Sequence, residues 1–264
     1  NNKSNQKNIG TIKSSNLCVA PDTMILTENG YFRIKDLQDQ EVKVWNGSEF
    51  SKTVVRKTGS NKKLITIKTN NGMDLKCTEY HKFYIETSSR PTANYTDRII
   101  QAKDLKLGMN IIRYNLPIIH NNKKELENAY ICGLFCVDGT YTNTINSSNR
   151  LNICLPNNIE SKHIVPINYS IKSKLLWLAG VCDGGGCIVH GNGSTKIQIS
   201  SVHRQFLIDT LYLLQTLGIN SNIVSSITTR KYELSEYNCK AIYRLEIDSK
   251  SINQLCSLGF SPKR

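Results

Sequence analysis

The chain has 264 residues, of which 39% are hydrophobic, which suits one large domain or two domains of ordinary size. Lys and Arg number 34 against 21 acidic residues, a net charge of +13. This charge favours polyanions such as nucleic acid, or else reflects a Lys-rich solvated surface. No run of about 18 apolar residues exists, so we predict no membrane span. The polar start "NNKSNQKN" has no secretory signal and resembles the tail of a chain that continues upstream.

The nine cysteines form no Cys-x-x-Cys pair and no spacing typical of a zinc site. Most lie in apolar runs, where reduced cysteine acts as a small hydrophobic residue. This pattern predicts an intracellular, cytoplasmic setting. Cys132 and Cys136 could meet Cys182 and Cys187 around a metal, but their place in apolar helix patterns favours buried thiols. Cys18 differs from these, because its neighbours are polar and turn-forming.

Residues 18–115 contain short strand-like segments that recur about every 8–12 residues, a spacing typical of a compact all-β fold. Asn-Gly and similar turns separate them. A polar loop, "ETSSRPTANYTDR", follows, and "IIQAKDLKLGMNIIRY" predicts a further strand pair around a turn at Gly108. The earlier strand segments are "TMILT", "YFRIKDL", "EVKVWN", "TVVRKT", "KLITIKT" and "MDLKCT".

The character of the sequence changes near residue 120, where "HNNKKELE" forms a polar linker. Helical periodicity then covers residues 126–141, 173–189 and 203–219, and the first two segments repeat one pattern. Strand-like segments lie between and after these helices, so the second part is predicted to be α+β with an internal repeat. They are "RLNICL", "KIQISS", "SNIVSSITT" and "AIYRLEID".

Three segments in the first part match one family in the right order. "CVAPDTMILTENGYFRIKDL", which begins at Cys18, resembles the first splicing block of inteins. "GMDLKCTEYHKFYI" places Thr78 and His81 in the T-x-x-H spacing of a later block, and "QAKDLKLGMNI" resembles the segment that usually follows. The resemblance implies an all-β, horseshoe-like Hint splicing domain over residues 18–120. Residues 1–17 would then be an N-extein segment.

The resemblance implies that the Cys18 thiol attacks the Leu17 carbonyl and turns the amide into a thioester, an N-to-S acyl shift. The amide nitrogen gains a proton as it becomes an amine, and His81 can donate that proton near neutral pH. Thr78 would hold the scissile peptide or its oxyanion. This chemistry needs no cofactor. The plainer alternatives are a buried structural cysteine and a hydrogen-bonded strand histidine.

The flanks of the first block predict a host and a missing piece. "GTIKSSNL" before Cys18 resembles the active-site loop of the large subunit of class I ribonucleotide reductases, so the exteins are expected to belong to such a subunit. The terminal intein blocks, with their His-Asn pair, are not found before the final "SLGFSPKR". We therefore expect thioester formation or cleavage at Leu17–Cys18, and splicing only with a C-terminal intein segment as partner.

The repeated helices carry a second resemblance. "ICGLFCVDG" (131–139) and "LAGVCDGGG" (178–186) are similar to the LAGLIDADG motif of homing endonucleases. Small residues at Gly133 and at Ala179 and Gly180 would let the two helices pack closely. The resemblance implies an α+β LAGLIDADG-type endonuclease domain over residues 121–264, with double-stranded DNA as a partner.

The metal-binding acids of that family are only half present. The family places an acid one residue before the final Gly of each motif, where the two acids bind Mg²⁺ or another divalent metal that activates water. Asp138 keeps this acid, whereas Gly185 takes its place in the second motif. Asp183 is the remaining candidate ligand, two residues too early. Only a short segment separates the motifs, so a degenerate endonuclease is predicted.

Other functions stay open from the sequence. One is an active, site-specific LAGLIDADG DNA endonuclease in which splicing is secondary. Another is a fragment of a ribonucleoside-diphosphate reductase large subunit, against which the β-rich part and the repeated helices argue. A Hedgehog-type autoprocessing module would share the Cys and T-x-x-H chemistry but would not carry the endonuclease helices. Incidental glycines in two amphipathic helices are the plainest alternative for the repeat.

Overall fold

The computed structural model describes residues 18–86, 99–138, 163–191, 194–226, 230–232, 235–237 and 241–263. Up to residue 120, which we call the β half, the described elements are strands and two 3-10 helices, Ile34–Leu37 and Ala102–Asp104. The division at residue 120 stays a prediction. The strands are β1 Met24–Thr27, β2 Gly30–Arg33, β3 Glu41–Trp45, β4 Phe50–Val54, β5 Ile65–Lys68, β6 Asp74–Cys77, β7 Lys82–Tyr84 and β8 Ile99–Gln101.

The strands of the β half pair as antiparallel hairpins. One sheet has the order β2-β1-β3-β4, while β5 pairs with β6 and β7 pairs with β8. The β1–β2 turn is tight, because Thr27 pairs with Gly30 and Gly30 has φ +107°, a conformation that favours glycine. The turn predicted at Asn29-Gly30 is thus confirmed.

Three strand predictions in the β half need correction. "YFRIKDL" stops being a strand at Arg33, because Ile34 and Lys35 turn to donate hydrogen bonds to the carbonyls of Thr23 and Pro21. The strand predicted at "TVVRKT" lies too far along the chain, since β4 ends at Val54. The strand pair expected around Gly108 is reduced to β8 and a single bridge between Ile111 and Ile85, because a 3-10 helix follows β8 directly.

From residue 121 onward, the helical half combines helices with one larger sheet. The four-stranded antiparallel sheet has the order β11-β14-β10-β9, and β12 and β13 form a separate hairpin. The elements are α1 Ala129–Asp138, α2 Ile171–Gly185, β9 Gly186–Gly191, β10 Ser194–Ser201, α3 Arg204–Thr216, β11 Asn222–Ser226, β12 Arg230–Tyr232, β13 Ser235–Tyr237, β14 Ile242–Asp248 and α4 Ser249–Ser257.

The helix predictions were right in kind and wrong at their ends. The second predicted helix, 173–189, in fact ends at Gly185, and its last residues form β9, in which Ile188 pairs with Ile197 of β10. Consecutive glycines end the helix, and the β-branched residues after them suit a strand. The helix begins earlier than predicted, because the Ser170 hydroxyl caps it by accepting from the Ser173 amide at 3.1 Å.

The other boundaries moved inward. α1 begins at Ala129 rather than at residue 126. α3 ends at Thr216. Gly218 follows with φ +76°, the left-handed conformation in which helices commonly end. The predicted strand "RLNICL" (150–155) lies outside the described residues. None of the described helices is long and apolar enough to cross a membrane.

Candidate functional site

Strand β6 brings Cys18 and Thr78 together. Just after Cys18, Val19 forms a bridge with Cys77, the last residue of β6. The Thr78 amide donates to the Cys18 carbonyl at 2.9 Å. In return, the Cys18 amide donates to the Thr78 hydroxyl oxygen at 3.1 Å. The nitrogen held by Thr78 is the one that would leave Leu17 in an acyl shift; Leu17 itself lies outside the described residues.

His81 follows Thr78 on a tight turn. The His81 amide donates to the Thr78 carbonyl at 3.0 Å, and the His81 carbonyl accepts from Ala102 at 2.7 Å. The imidazole packs edge-on against Phe83, with ring centroids 5.3 Å apart. Burial lowers the pKa of His81, because desolvation disfavours the imidazolium.

The Nδ1 atom of His81 is buried and makes no hydrogen bond within the part of the chain that the structure describes. Buried polar atoms are nearly always bonded, so such an atom calls for an explanation, and proton transfer is one.

One neighbour of the nucleophile was missed by the sequence analysis. The Thr58 hydroxyl oxygen lies 2.9 Å from the Cys18 sulfur. Thr58 belongs to the loop between β4 and β5 and is far from Cys18 in the chain, within the plain stretch "VVRKTGS". No spacing or motif could have found it, because the fold of the loop alone creates the contact.

The glycines of the two repeated motifs lie where α1 and α2 meet. A Cβ atom on Gly133 would come within 1.9 Å of the Trp177 carbonyl oxygen, and one on Gly180 within 2.0 Å of the Tyr130 carbonyl oxygen. No larger side chain fits at either position. The prediction that small residues allow close packing of these helices is therefore confirmed.

The acidic ends of the motifs are unequal. A Cβ atom on Gly185 would come within 2.2 Å of the Val137 side chain, so an acid at that position would force that side chain to move. The Asp183 carboxylate instead accepts from the Tyr130 hydroxyl at 2.9 Å and from the Lys263 amide at 2.7 Å. Asp138 is the last residue of α1, and its side chain lies outside the described part.

A metal site is not formed by the described side chains. No group of three or more His, Cys, Asp or Glu among them could hold a metal ion. Cys132 and Cys136 are buried thiols, as predicted, whereas Cys187 is exposed, so the prediction of a buried thiol is wrong there. Burial raises the pKa of Cys182 to about 12, with a smaller contribution from neighbouring Asp183, so this thiol stays protonated at neutral pH.

Charged and polar side chains lie on the outer face of the four-stranded sheet. Ile197 and Ile199 of β10 are buried, so the alternate residues of that strand face outward. On this face Lys196 forms an ion pair with Glu246 of β14 at 3.0 Å, and Arg244 lies opposite Ser200. The charges have both signs, so this face alone does not identify a polyanion-binding surface.

Comparison with known proteins first gives a class for the helical half. Residues 172–257 match the family model described as a LAGLIDADG-like domain. This part of the chain, from α2 to α4, is therefore a LAGLIDADG-like domain. The first motif, with Gly133 and Asp138, lies outside the matched residues.

Curated relatives cover nearly the whole chain. It is 38% identical over 96% of its length to the ribonucleoside-diphosphate reductase large subunit of Invertebrate iridescent virus 6. It is 24% identical over 94% to ribonucleoside-diphosphate reductase NrdEB subunit alpha of Bacillus subtilis. It is 26% identical over 88% to the ATP-dependent DNA helicase Hel308 of Methanocaldococcus jannaschii. The chain spans 31%, 30% and 23% of these three relatives.

Proposed function

We propose that this chain is an intein segment whose β half, a Hint-type domain, rearranges the Leu17–Cys18 peptide bond. The observation that carries the proposal is the hydrogen bond from the Cys18 amide to the Thr78 hydroxyl, 3.1 Å long. It places a polar side chain on the very nitrogen that an N-to-S acyl shift must release. A cysteine buried only for packing has no need of this contact.

In the proposed step, the Cys18 sulfur bonds to the Leu17 carbonyl carbon, and the bond from that carbon to the Cys18 nitrogen breaks. The thiol gives up one proton and the released nitrogen gains one, so the rearrangement balances without an oxidant or a cofactor. Thr78 orients the amide by accepting its hydrogen. We assign the donated proton to Nδ1 of His81, the buried atom without a hydrogen bond in the described chain.

The relatives support an inserted element. One segment, aligned with about nine-tenths or more of this chain, occurs in two reductase subunits and in a helicase. A segment shared by proteins of such different activities carries neither reduction of ribonucleotides nor unwinding of DNA. The 38% identity to the viral subunit supports a ribonucleotide reductase large subunit as the source of the exteins. The match to a helicase argues against the segment itself being reductase machinery.

DNA cleavage is the second candidate function, favoured by the LAGLIDADG-like domain. The described residues do not fit a two-acid Mg²⁺ site, because Gly185 replaces one acid and Asp183 is bonded to Tyr130 and Lys263. We therefore propose an impaired endonuclease that still contacts double-stranded DNA. A clean double-strand cut in DNA of the uninterrupted host gene, with Mg²⁺ added, would show instead that the nuclease is active.

The test of the acyl shift is cleavage by hydroxylamine, which attacks a thioester far faster than an amide. We expect mass spectrometry to show release of residues 1–17 from the 264-residue chain. Cys18→Ala should abolish this release. Cys187→Ala, which changes an exposed thiol in the other half, should leave it unchanged. Equal release from wild type and Cys18→Ala would mean that Cys18 is not the nucleophile.

Splicing itself needs a separate experiment. The chain should be expressed with a reductase N-extein and a downstream segment that supplies the terminal intein blocks and a C-extein. A ligated flank product and an excised intein in the mass spectrum are the expected outcome. Thioester cleavage without ligation would limit the proposed function to self-cleavage.

A further inference from the structure

The tip of the β5–β6 hairpin, residues 69–74, docks on the helical half. The Ile223 amide of β11 donates to the Asn71 carbonyl at 2.9 Å. Arg204, the first residue of α3, donates to the Gly72 carbonyl at 2.7 Å and reaches the Asp74 carboxylate at 3.2 Å. The hairpin tip is thus held by one main-chain hydrogen bond and by the Arg204 side chain, which adds a hydrogen bond and an ion pair.

The hairpin tip is shaped for this contact. Gly72 has φ +84°, and a Cβ atom there would come within 2.6 Å of both the Cβ and the carbonyl oxygen of Ile223. The Thr69 hydroxyl donates to the Met73 carbonyl at 2.8 Å inside the turn. The Met73 side chain packs against the core of the helical half. Such a fit leaves the tip little freedom to shift.

β6 connects the docked tip with the nucleophile. The strand runs from Asp74, which Arg204 holds, to Cys77, and Thr78 follows directly. From Asp74 to Thr78 an extended chain spans about 13 Å. Because side chains alternate along a strand, sliding β6 by one residue would turn the Thr78 hydroxyl away from the Cys18 amide. Anchoring one end of β6 therefore fixes the hydrogen bond at the other end.

A second docking point offers a comparison. The Asn168 side chain accepts from the Tyr31 amide at 2.9 Å and donates to the Tyr31 carbonyl at 2.7 Å. This contact holds the β1–β2 hairpin, which belongs to a different sheet from β6. It joins the two halves as the hairpin tip does, but no strand leads from it to Thr78.

We infer that Arg204 is a positioning residue for the acyl shift: the LAGLIDADG-like domain clamps the hairpin tip through Arg204 and so holds Thr78 on the Cys18 amide. The inference rests on the proposed function of Cys18. It gives the endonuclease-like half a role in peptide chemistry that does not depend on DNA cleavage.

The experiment compares hydroxylamine-induced release of residues 1–17 among variants of the 264-residue chain. Arg204→Ala should slow release about threefold to tenfold, because small displacements of a positioned group have large effects on rate. Arg204→Lys, which keeps the charge opposite Asp74, should restore part of the rate. Asn168→Ala, which breaks the other docking point, should change it less than twofold.

Hydrogen exchange supplies a readout that does not depend on cleavage. In Arg204→Ala, the amides of Cys18 and Thr78 should exchange faster than in wild type, while those of β1 and β2 should not. Unchanged exchange at both amides would overturn the inference, whether or not the chain cleaves. A rate loss of equal size in Asn168→Ala would also overturn it, since general loosening of the interface would then suffice. Failure of wild type to release residues 1–17 would instead contradict the proposed function.

Discussion

The two halves of this protein are stabilised in different ways. In the helical half one continuous core, in which Trp177, Leu211 and Leu245 are fully buried, joins α2 and α3 to the sheet. The buried core of the β half is small, formed by Leu26, Tyr31 and Ile119 with partners that include residues of the other half. The helical half therefore depends on one continuous apolar core, whereas the β half has a small core and is held together by the ladders between its strands.

The largest expected effect is the loss of the His81 side chain in the β half. His81→Ala should slow release of residues 1–17 by hydroxylamine about 100-fold or more, the contribution typical of a general acid. Asp138→Ala, in the helical half, should have little effect on release. Equal effects of the two substitutions would mean that the chemistry has been assigned to the wrong half.

The pH profile sharpens the same prediction. Because burial lowers the pKa of His81, the imidazolium fraction falls with rising pH above that pKa. The alanine variant has no imidazolium to lose, so the rate of wild type relative to His81→Ala should fall as the pH rises through the neutral range. Parallel profiles would contradict a general-acid role.

A single methyl group added between α1 and α2 should destabilise the helical half. Alanine in a helix is normally more stable than glycine by about 1 kcal/mol. Gly180→Ala should nevertheless lower the free energy of unfolding by about 3 kcal/mol, because its Cβ would lie 2.0 Å from the Tyr130 carbonyl oxygen.

The matched control for the helix pair is Gly191→Ala, since nothing lies within 4 Å of a Cβ atom at that position. Its midpoint in urea should stay close to that of wild type. Denaturation curves of the two variants therefore separate close approach of α1 and α2 from a general intolerance of alanine. A stabilised Gly180→Ala would show that the helices separate easily.

The core of the helical half also contains a buried charge that lowers the stability of the folded protein. Lys174 on α2 is fully buried, and its Nζ makes no hydrogen bond within the described residues. Burial lowers its pKa to about 8 from an ordinary 10.5. Lys174→Met should therefore raise the free energy of unfolding by about 3 kcal/mol at pH 7. Lys172→Met, an exposed position on the same helix, should not.

The sign of the pH dependence follows from the lowered pKa. Below pH 8 the folded protein holds a buried charge, and the whole stabilisation by methionine is present. Above a pH of about 8 the folded protein loses the Lys174 proton, and above about 10.5 the unfolded chain loses it as well. The advantage of the variant should therefore shrink across this range and vanish at its upper end. Unfolding curves at pH 7 and pH 10 measure the difference. A constant advantage at both pH values would mean that packing, not charge, explains it.

The sequence predicts the parts of the molecule that repeat a local pattern. Short local patterns predict the turn at Asn29-Gly30 and the close approach of the helices at Gly133 and Gly180, and the structure confirms both. Helix ends were less predictable: α2 stops at Gly185 and the next residues form β9, whose pairing with β10 has no signal in the local pattern. Contacts across long chain separations, such as Arg204 with Asp74, had no local signal at all.

The contact between Thr58 and Cys18 is another that no local pattern predicts. Substitution of Thr58 should have the smallest effect on the release of residues 1–17. Its hydroxyl lies 2.9 Å from the Cys18 sulfur and can donate to a thiolate, so Thr58→Val should slow release of residues 1–17 about threefold. Thr58→Ser keeps the hydroxyl and should release at nearly the wild-type rate. Alkylation of Cys18 by iodoacetamide at one fixed pH reports the reactivity of the sulfur without cleavage, and it should be slower in Thr58→Val than in Thr58→Ser. Equal alkylation rates in the two variants would mean that Thr58 only shapes the loop beside Cys18.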